Sequence, residues 1–267
     1  KSPARFAPHL NPEASVGRRN VVLSLMEEYG YISAAQRLEA REEEAVLAGG
    51  AGRNHRGSYV DLALTEACAR LGVDMDTLLT GGYRIYTSLE PEVQRVCNEI
   101  FDNEDSFPGD IAGTAVEAAI SVVDVQTGGI AAIRGGRSDD IALSYNRAVR
   151  IRRQPGSVIK PVIVYAAALE AGYTAATMLL DEQMDFGGYV PRNSTGEYSG
   201  WVTMRDAVTR SLNVPAVAVM NRVGINTCKD FAARLGIEFD EQDDSLVLAL
   251  GGFTYGVSPL QIAGAYA

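Results

Sequence analysis

Two observations predict an α+β fold. Between Ala118 and Ile133, two apolar, β-rich runs flank Gln126-Thr127-Gly128-Gly129, a composition that joins antiparallel strands. From Pro155 onward helical patterns dominate, so this part reads as an antiparallel sheet packed with a mainly helical region. With 267 residues, 46% of them hydrophobic, the chain can bury a substantial core in one or two domains.

Taken in order, residues 11 to 48 read as two helices. Val21, Val22, Leu25 and Met26 recur at helical spacing before a break at Gly30, and a charge-rich helix follows Ser33 through Arg41 to Glu44. Gly49-Gly50-Ala51-Gly52 marks a flexible joint and a domain boundary, followed by a helix from about Asp61 to Leu71. Tyr83 to Thr87 alternates as a strand, and Pro91 opens a helix carrying Val93, Val96, Ile100 and Phe101. After the hairpin, Thr203 and Asp206 form a capping box for a helix running to about Ser211. Pro215 opens another that ends near Gly224. Ser258, Pro259 and Gln261 begin a capped helix in which the sequence stops, so both ends are expected to be cut from a longer protein.

Charge and composition exclude several functions. A net charge of -10 and a pI near 4.8 would repel a nucleic acid. Cys68, Cys97 and Cys228 are far apart and odd in number, which suits neither a disulfide framework nor a zinc site, and they read as half-buried thiols. No run reaches the ~18 apolar residues of a spanning helix. The only histidines are His9 and His55, both upstream of the helical region, so a Ser-His-Asp triad or a metal hydrolase is poorly served. No cofactor is called for.

One segment can carry chemistry. Arg153-Gln154-Pro155-Gly156-Ser157-Val158-Ile159-Lys160-Pro161 enters a run of Val162, Ile163, Val164, Tyr165 and three alanines, a helix apolar on every side and therefore buried. Ser157 and Lys160, at i and i+3, share one face. Burial lowers a lysine's pKa, and a neutral lysine can take the proton of a serine hydroxyl; unpaired N–H groups at the helix start can face an oxyanion. The alternative is an N-cap at Ser157 and a Lys160 that snorkels to solvent. In the loop between the later helices, Ser211 and Asn213 point the same way, offering a relay hydroxyl and an amide for a substrate carbonyl. Taken alone, Asn213 is more simply read as a cap of the following helix.

Together, S-x-x-K and S-x-N in this order resemble the penicillin-recognising serine acyltransferases. Arg153 to Ser157, Tyr189-Val190-Pro191-Arg192-Asn193, the Ser211 loop and Gly251 to Tyr266 resemble the transpeptidase domain of class A, bifunctional penicillin-binding proteins. Asn146-Arg147-Ala148 and the Thr127-Gly128 hairpin fit as well. Residues 11 to 44, notably Arg18-Arg19 and Met26 to Ile32, are similar to the tail of the glycosyltransferase domain that precedes it.

The resemblance implies a penicillin-binding, β-lactamase-like fold. Its domains would be the glycosyltransferase tail at residues 1–48, an interdomain linker at 49–112 and a transpeptidase domain at 113–267. It implies a peptidoglycan D,D-transpeptidase in which Ser157 attacks the D-Ala-D-Ala end of a stem peptide, Lys160 accepts its proton, Ser211 relays a proton to the leaving group and Asn213 holds the substrate. An amine of a second stem peptide resolves the acyl-enzyme, and β-lactams acylate the same serine. The family's Lys-Ser/Thr-Gly motif and its glycosyltransferase glutamates are expected beyond this chain, which alone would have no glycosyltransferase activity and an impaired acylation site. A membrane-anchored parent, facing outward and in company with cell-wall synthesis proteins, is implied too. The rivals are a DD-carboxypeptidase or β-lactamase, which pass the acyl group to water, and a non-catalytic cell-wall scaffold.

Overall fold

The computed structural model describes residue 6 and residues 11–43, 57–137 and 145–267. The chain divides into two units, residues 1–55 and 56–267. His9, His55, Glu44 and the Gly49–Gly52 joint lie outside the described residues.

The first unit is a helix pair, α1 (Pro12–Glu28) and α2 (Ala34–Glu42). Pro12 opens α1, where its missing N–H costs nothing. Ser33 starts α2 with a reciprocal box: its hydroxyl accepts from the Gln36 amide at 3.3 Å, and its own N–H donates to Gln36 Oε1 at 2.9 Å. Arg37 pairs with Glu27 at 2.5 Å across the two helices. Val21, Val22 and Leu25, whose spacing predicts an inward stripe, are exposed.

In the second unit, α3 (Ser58–Leu71), α4 (Met75–Thr80) and α5 (Pro91–Asp102) lead to a hairpin of β1 (Ile120–Val123) and β2 (Ile130–Arg134). The hairpin forms where the composition predicts it. Asp124 Oδ1 accepts from the amides of Gln126 and Thr127, both at 2.8 Å, and Gly128 takes the left-handed φ of 69° that the turn needs. The helix α3 backs the sheet: Tyr59 donates to the Ile130 carbonyl at 2.8 Å, and Ser58 Oγ accepts from the Gly135 amide at 2.9 Å.

The strand expected at Tyr83 to Thr87 does not form. The chain beside β2 meets that edge one residue at a time as it turns into α5. Ser88 Oγ donates to Ile130 O, the Glu90 amide to Ala131 O, and the Gln94 side chain takes both backbone groups of Ile133. A carboxamide thus stands in for a neighbouring strand and covers the edge. On α5, Gln94 bonds the sheet and Cys97 and Phe101 are buried, whereas Val93, Val96 and Ile100 are exposed.

The helical part follows with α6 (Arg147–Arg150), a 3₁₀ turn (Gly156–Ile159), a π segment (Lys160–Tyr165) and α7 (Ala166–Glu170). A second hairpin of β3 (Met178–Asp181) and β4 (Gly200–Thr203) precedes α8 (Met204–Thr209), α9 (Asn213–Val223) and α10 (Ile225–Arg234). A 3₁₀ turn (Leu246–Leu250) and α11 (Pro259–Tyr266) complete it. The capping boxes at Thr203/Asp206 and Ser258/Gln261 form as expected. The core gathers Ile159, Ile163 and Val164 against Val217, Met220 and Leu248, each side chain contributing about 1.5–3 kcal/mol on full burial. Cys97 and Cys228 lie in the interior rather than half-buried; Cys68 is half-buried.

Candidate active site

Ser157 sits in the 3₁₀ turn that opens the buried helix. Pro161 explains that geometry. In an α-helix its N–H would bond the Ser157 carbonyl, but proline has none, and the Lys160 amide takes that carbonyl instead. A 3₁₀ turn has three residues per turn, so side chains at i and i+3 eclipse. Ser157 is exposed and Pro155 occupies the cap position without a side-chain cap bond, so the serine does not serve as an N-cap.

Lys160 is sealed in, with 1% of its surface exposed, so it does not snorkel. Its ammonium spends its three protons on the Ser211 carbonyl at 2.7 Å, Ser211 Oγ at 3.2 Å and Asn213 Oδ1 at 2.6 Å. Among the described residues no carboxylate forms an ion pair with it, and burial pushes its pKa down to about 8. These bonds reach across to the Ser211 loop and not to Ser157. Burial of the surrounding apolar core offsets the several kcal/mol that desolvating an ammonium costs.

The loop that receives Lys160 is strained and braced. Ser211 has φ of 53°, a left-handed value rare for a residue with a Cβ, which turns its carbonyl and hydroxyl toward the same ammonium. Asn213 is the first residue of α9 and makes no cap bond; the helix begins two residues before the expected Pro215. The Asn213 amide side chain accepts from Lys160 and donates to Arg192 O at 2.7 Å, leaving one N–H for a ligand.

The Ser157 turn has its own brace in residues 251–257. Arg153 and Val257 exchange backbone bonds of 3.1 and 2.9 Å, while the Gln154 side chain accepts from the Phe253 amide and donates to the Phe253 carbonyl. Gly251 has φ of 85° and lies so close to the Gly156 backbone that a Cβ would collide with it; Gly256 meets Arg153 in the same way. Asp243 anchors this strap through the Thr254 amide at 2.7 Å and hydroxyl at 2.8 Å. Burial would raise the Asp243 carboxyl, but the hydrogen bonds from Asp240 and Thr254, with the nearby Lys229 charge, outweigh it and hold it below the usual carboxylate range.

An exposed serine one 3₁₀ turn before a buried, partly neutral lysine, beside a serine and an asparagine on a second loop, is an arrangement for acyl transfer. Residues 118–267 match the family described as penicillin binding protein transpeptidase domain. The chain belongs to that family. Penicillin-binding protein 1F of Bacillus subtilis is 36% identical across 100% of this chain and 37% of its own length, so the chain spans little more than a third of such relatives. The match extends through residues 1–117, in keeping with the class A kinship expected from the motifs. Among solved structures, penicillin-binding protein 1A of Haemophilus influenzae has the same fold, with a TM-score of 0.62 at 23% identity over 99% of this chain and 53% of that one. PonA1 of Mycobacterium tuberculosis, solved in complex with penicillin V, gives 0.64 at 22% identity over 79% of this chain and 58% of its own. As expected from the penicillin-binding resemblance, the fold is that of a penicillin-binding protein transpeptidase, with helices around small antiparallel sheets.

In this penicillin-binding protein chain, all four expected site residues lie in the second unit, and three of them, Lys160, Ser211 and Asn213, bond directly. Gln154, Asn193 and Gly251 support the site and were not singled out as functional. Their segments belong to the resemblance, but no local spacing links Asn193 to a loop 20 residues away or Gly251 to Gly156.

Proposed function

We propose that this chain carries the acylation site of a peptidoglycan D,D-transpeptidase with Ser157 as nucleophile. The buried Lys160, at a pKa near 8 and bonded to Ser211 and Asn213, is the observation that carries this reading. At pH 7 about a tenth of Lys160 is neutral and can accept a proton. Ser157 Oγ attacks the carbonyl of the penultimate D-alanine and its proton goes to Lys160 Nζ. The carbonyl oxygen gathers charge near the first amides of the 3₁₀ turn, which lack helical partners. As the C–N bond breaks, a proton passes from Lys160 through Ser211 Oγ to the departing amine of D-alanine, and a Ser157 ester remains. Asn213 holds the substrate with its remaining N–H. An amine from a second stem peptide attacks the ester, forms the cross-link and returns the proton to Ser157.

The domain reading carried forward is a glycosyltransferase tail at 1–48, an interdomain region at 49–112 and the transpeptidase domain at 113–267. The match of residues 118–267 to the transpeptidase family supports its last part. Peptidoglycan stem peptides are the substrates and β-lactams the covalent inhibitors of the parent protein. Its place is the outer face of a bacterial cytoplasmic membrane, among other cell-wall synthesis proteins. Among the described residues no helix is long and apolar enough to cross a membrane.

The parent protein, given a pentapeptide-bearing donor and an amine acceptor, is expected to release one D-alanine per cross-link formed. D-Alanine released without cross-linking would favour a carboxypeptidase, and no release from a folded protein would favour the scaffold reading.

A further inference from the structure

Asp181, at the end of β3, is wholly buried, and the acylation chemistry does not use it. Its Oδ1 accepts from Asn193 Nδ2 at 2.7 Å and its Oδ2 from the Ser199 amide at 2.9 Å. Asn193 is buried as well, and its other bonds reach the site. Its Oδ1 accepts from the Asn213 amide at 2.8 Å and the Val214 amide at 3.4 Å, while Nδ2 also donates to Glu197 O at 2.9 Å. The first two amides of a helix have no helical partner and are normally met by a cap residue next to them in sequence. Here Leu212 holds the cap position and cannot bond them, so a side chain from a distant loop takes that role. A continuous path therefore runs from the Asp181 carboxylate through Asn193 and the Asn213 backbone to the Asn213 side chain that holds Lys160.

We propose that Asp181 and Asn193 are a positioning pair that sets the Ser211–Asn213 turn for acylation. Asp181 orients the Asn193 amide, so that its oxygen faces α9 and its nitrogen faces the carboxylate; a free amide could turn over and present N–H groups to N–H groups. Asn193 in turn fixes where α9 starts, and thereby where Asn213 Oδ1 and the strained Ser211 stand relative to Lys160. The carboxylate favours the buried arrangement because both its oxygens are bonded. Neither residue reaches the reacting atoms. The proposal rests on the Ser157 acylation reading.

In the parent protein, the test compares wild type with Asn193→Ala and the isosteric Asp181→Asn, well below their melting temperatures. Stopped-flow labelling with a fluorescent penicillin separates the acylation rate constant from the preceding dissociation constant. Hydrogen exchange follows the amides of residues 211–214. Each variant is expected to lose about 10- to 100-fold in the acylation rate constant while the dissociation constant stays within about threefold, since misplacement of a catalytic group by about 1 Å has effects of that order. Exchange should rise at 211–214 and stay unchanged at 162–168. An unchanged rate constant in both variants, or a loss that appears in the dissociation constant, overturns the proposal. Should Asn193→Ala fail to fold, Asp181→Asn decides by the same readouts. If penicillin does not acylate wild type, the Ser157 reading fails, but exchange still decides the pair: selective opening at 211–214 supports it, and unchanged exchange overturns it.

Discussion

In the proposed mechanism Lys160 is the deciding residue, because its environment is balanced between two protonation states. Burial disfavours the ammonium, three well-placed acceptors favour it, and the outcome near 8 leaves a usable neutral fraction at physiological pH. Acylation by a β-lactam should therefore rise with pH, with an inflection near 8 and a plateau above it, read from the rate constant at each pH. Lys160→Arg, which stays charged, should lower that rate constant by about 10²–10⁴ and abolish the inflection. A profile flat from pH 6 to 10 would contradict the role of Lys160 as base. The same shift affects stability. Because the folded value lies below that of the unfolded chain, the unfolded state binds more protons between about 8 and 10.5, so this group's contribution favours folding as pH rises through that window. At this scale the i, i+3 spacing and the all-round apolar run already marked Ser157 and Lys160. The destination of the lysine's bonds was not legible, because it depends on a loop 51 residues away.

At the scale of elements, the turn that bears Ser157 is held by close contact with the strap at residues 251–257. Gly251 can approach the Gly156 backbone only because Gly251 carries no side chain, and Gln154 binds Phe253 as a strand neighbour would. Gly251→Ala combines a left-handed φ with a collision against the chain that bears Ser157. We expect a destabilisation of about 1–3 kcal/mol, seen as a lower Tm, and an acylation rate about a hundredfold lower in the protein that remains folded. Normal acylation in that variant would show that the strap does not position Ser157. The capping boxes, the helix starts at Pro91 and Pro259 and the 120–134 hairpin were legible because their signals lie within four residues of one another. The strand expected at Tyr83 to Thr87 failed for a physical reason. The Gln94 side chain satisfies the edge of β2, and period alone does not reveal which polar residue will replace a strand.

At the scale of the whole molecule, the proposed acylation residues Ser157, Lys160, Ser211 and Asn213 all lie in the second unit, where a hydrogen-bonded framework links Lys160, Ser211 and Asn213 to the buried Asn193 and Asp181. The fold class and the family were legible because S-x-x-K, S-x-N and the segments around them recur as a set in one order; relatives matched along the entire chain agree. The central claim is that this framework makes Ser157 a nucleophile. Intact mass spectrometry of the parent protein after incubation with benzylpenicillin, followed by peptide mapping, tests it most directly. One adduct of the mass of benzylpenicillin, mapped to Ser157 and absent from Ser157→Ala, is the predicted result; an adduct that persists in Ser157→Ala, or none on the folded wild-type parent protein, would contradict it.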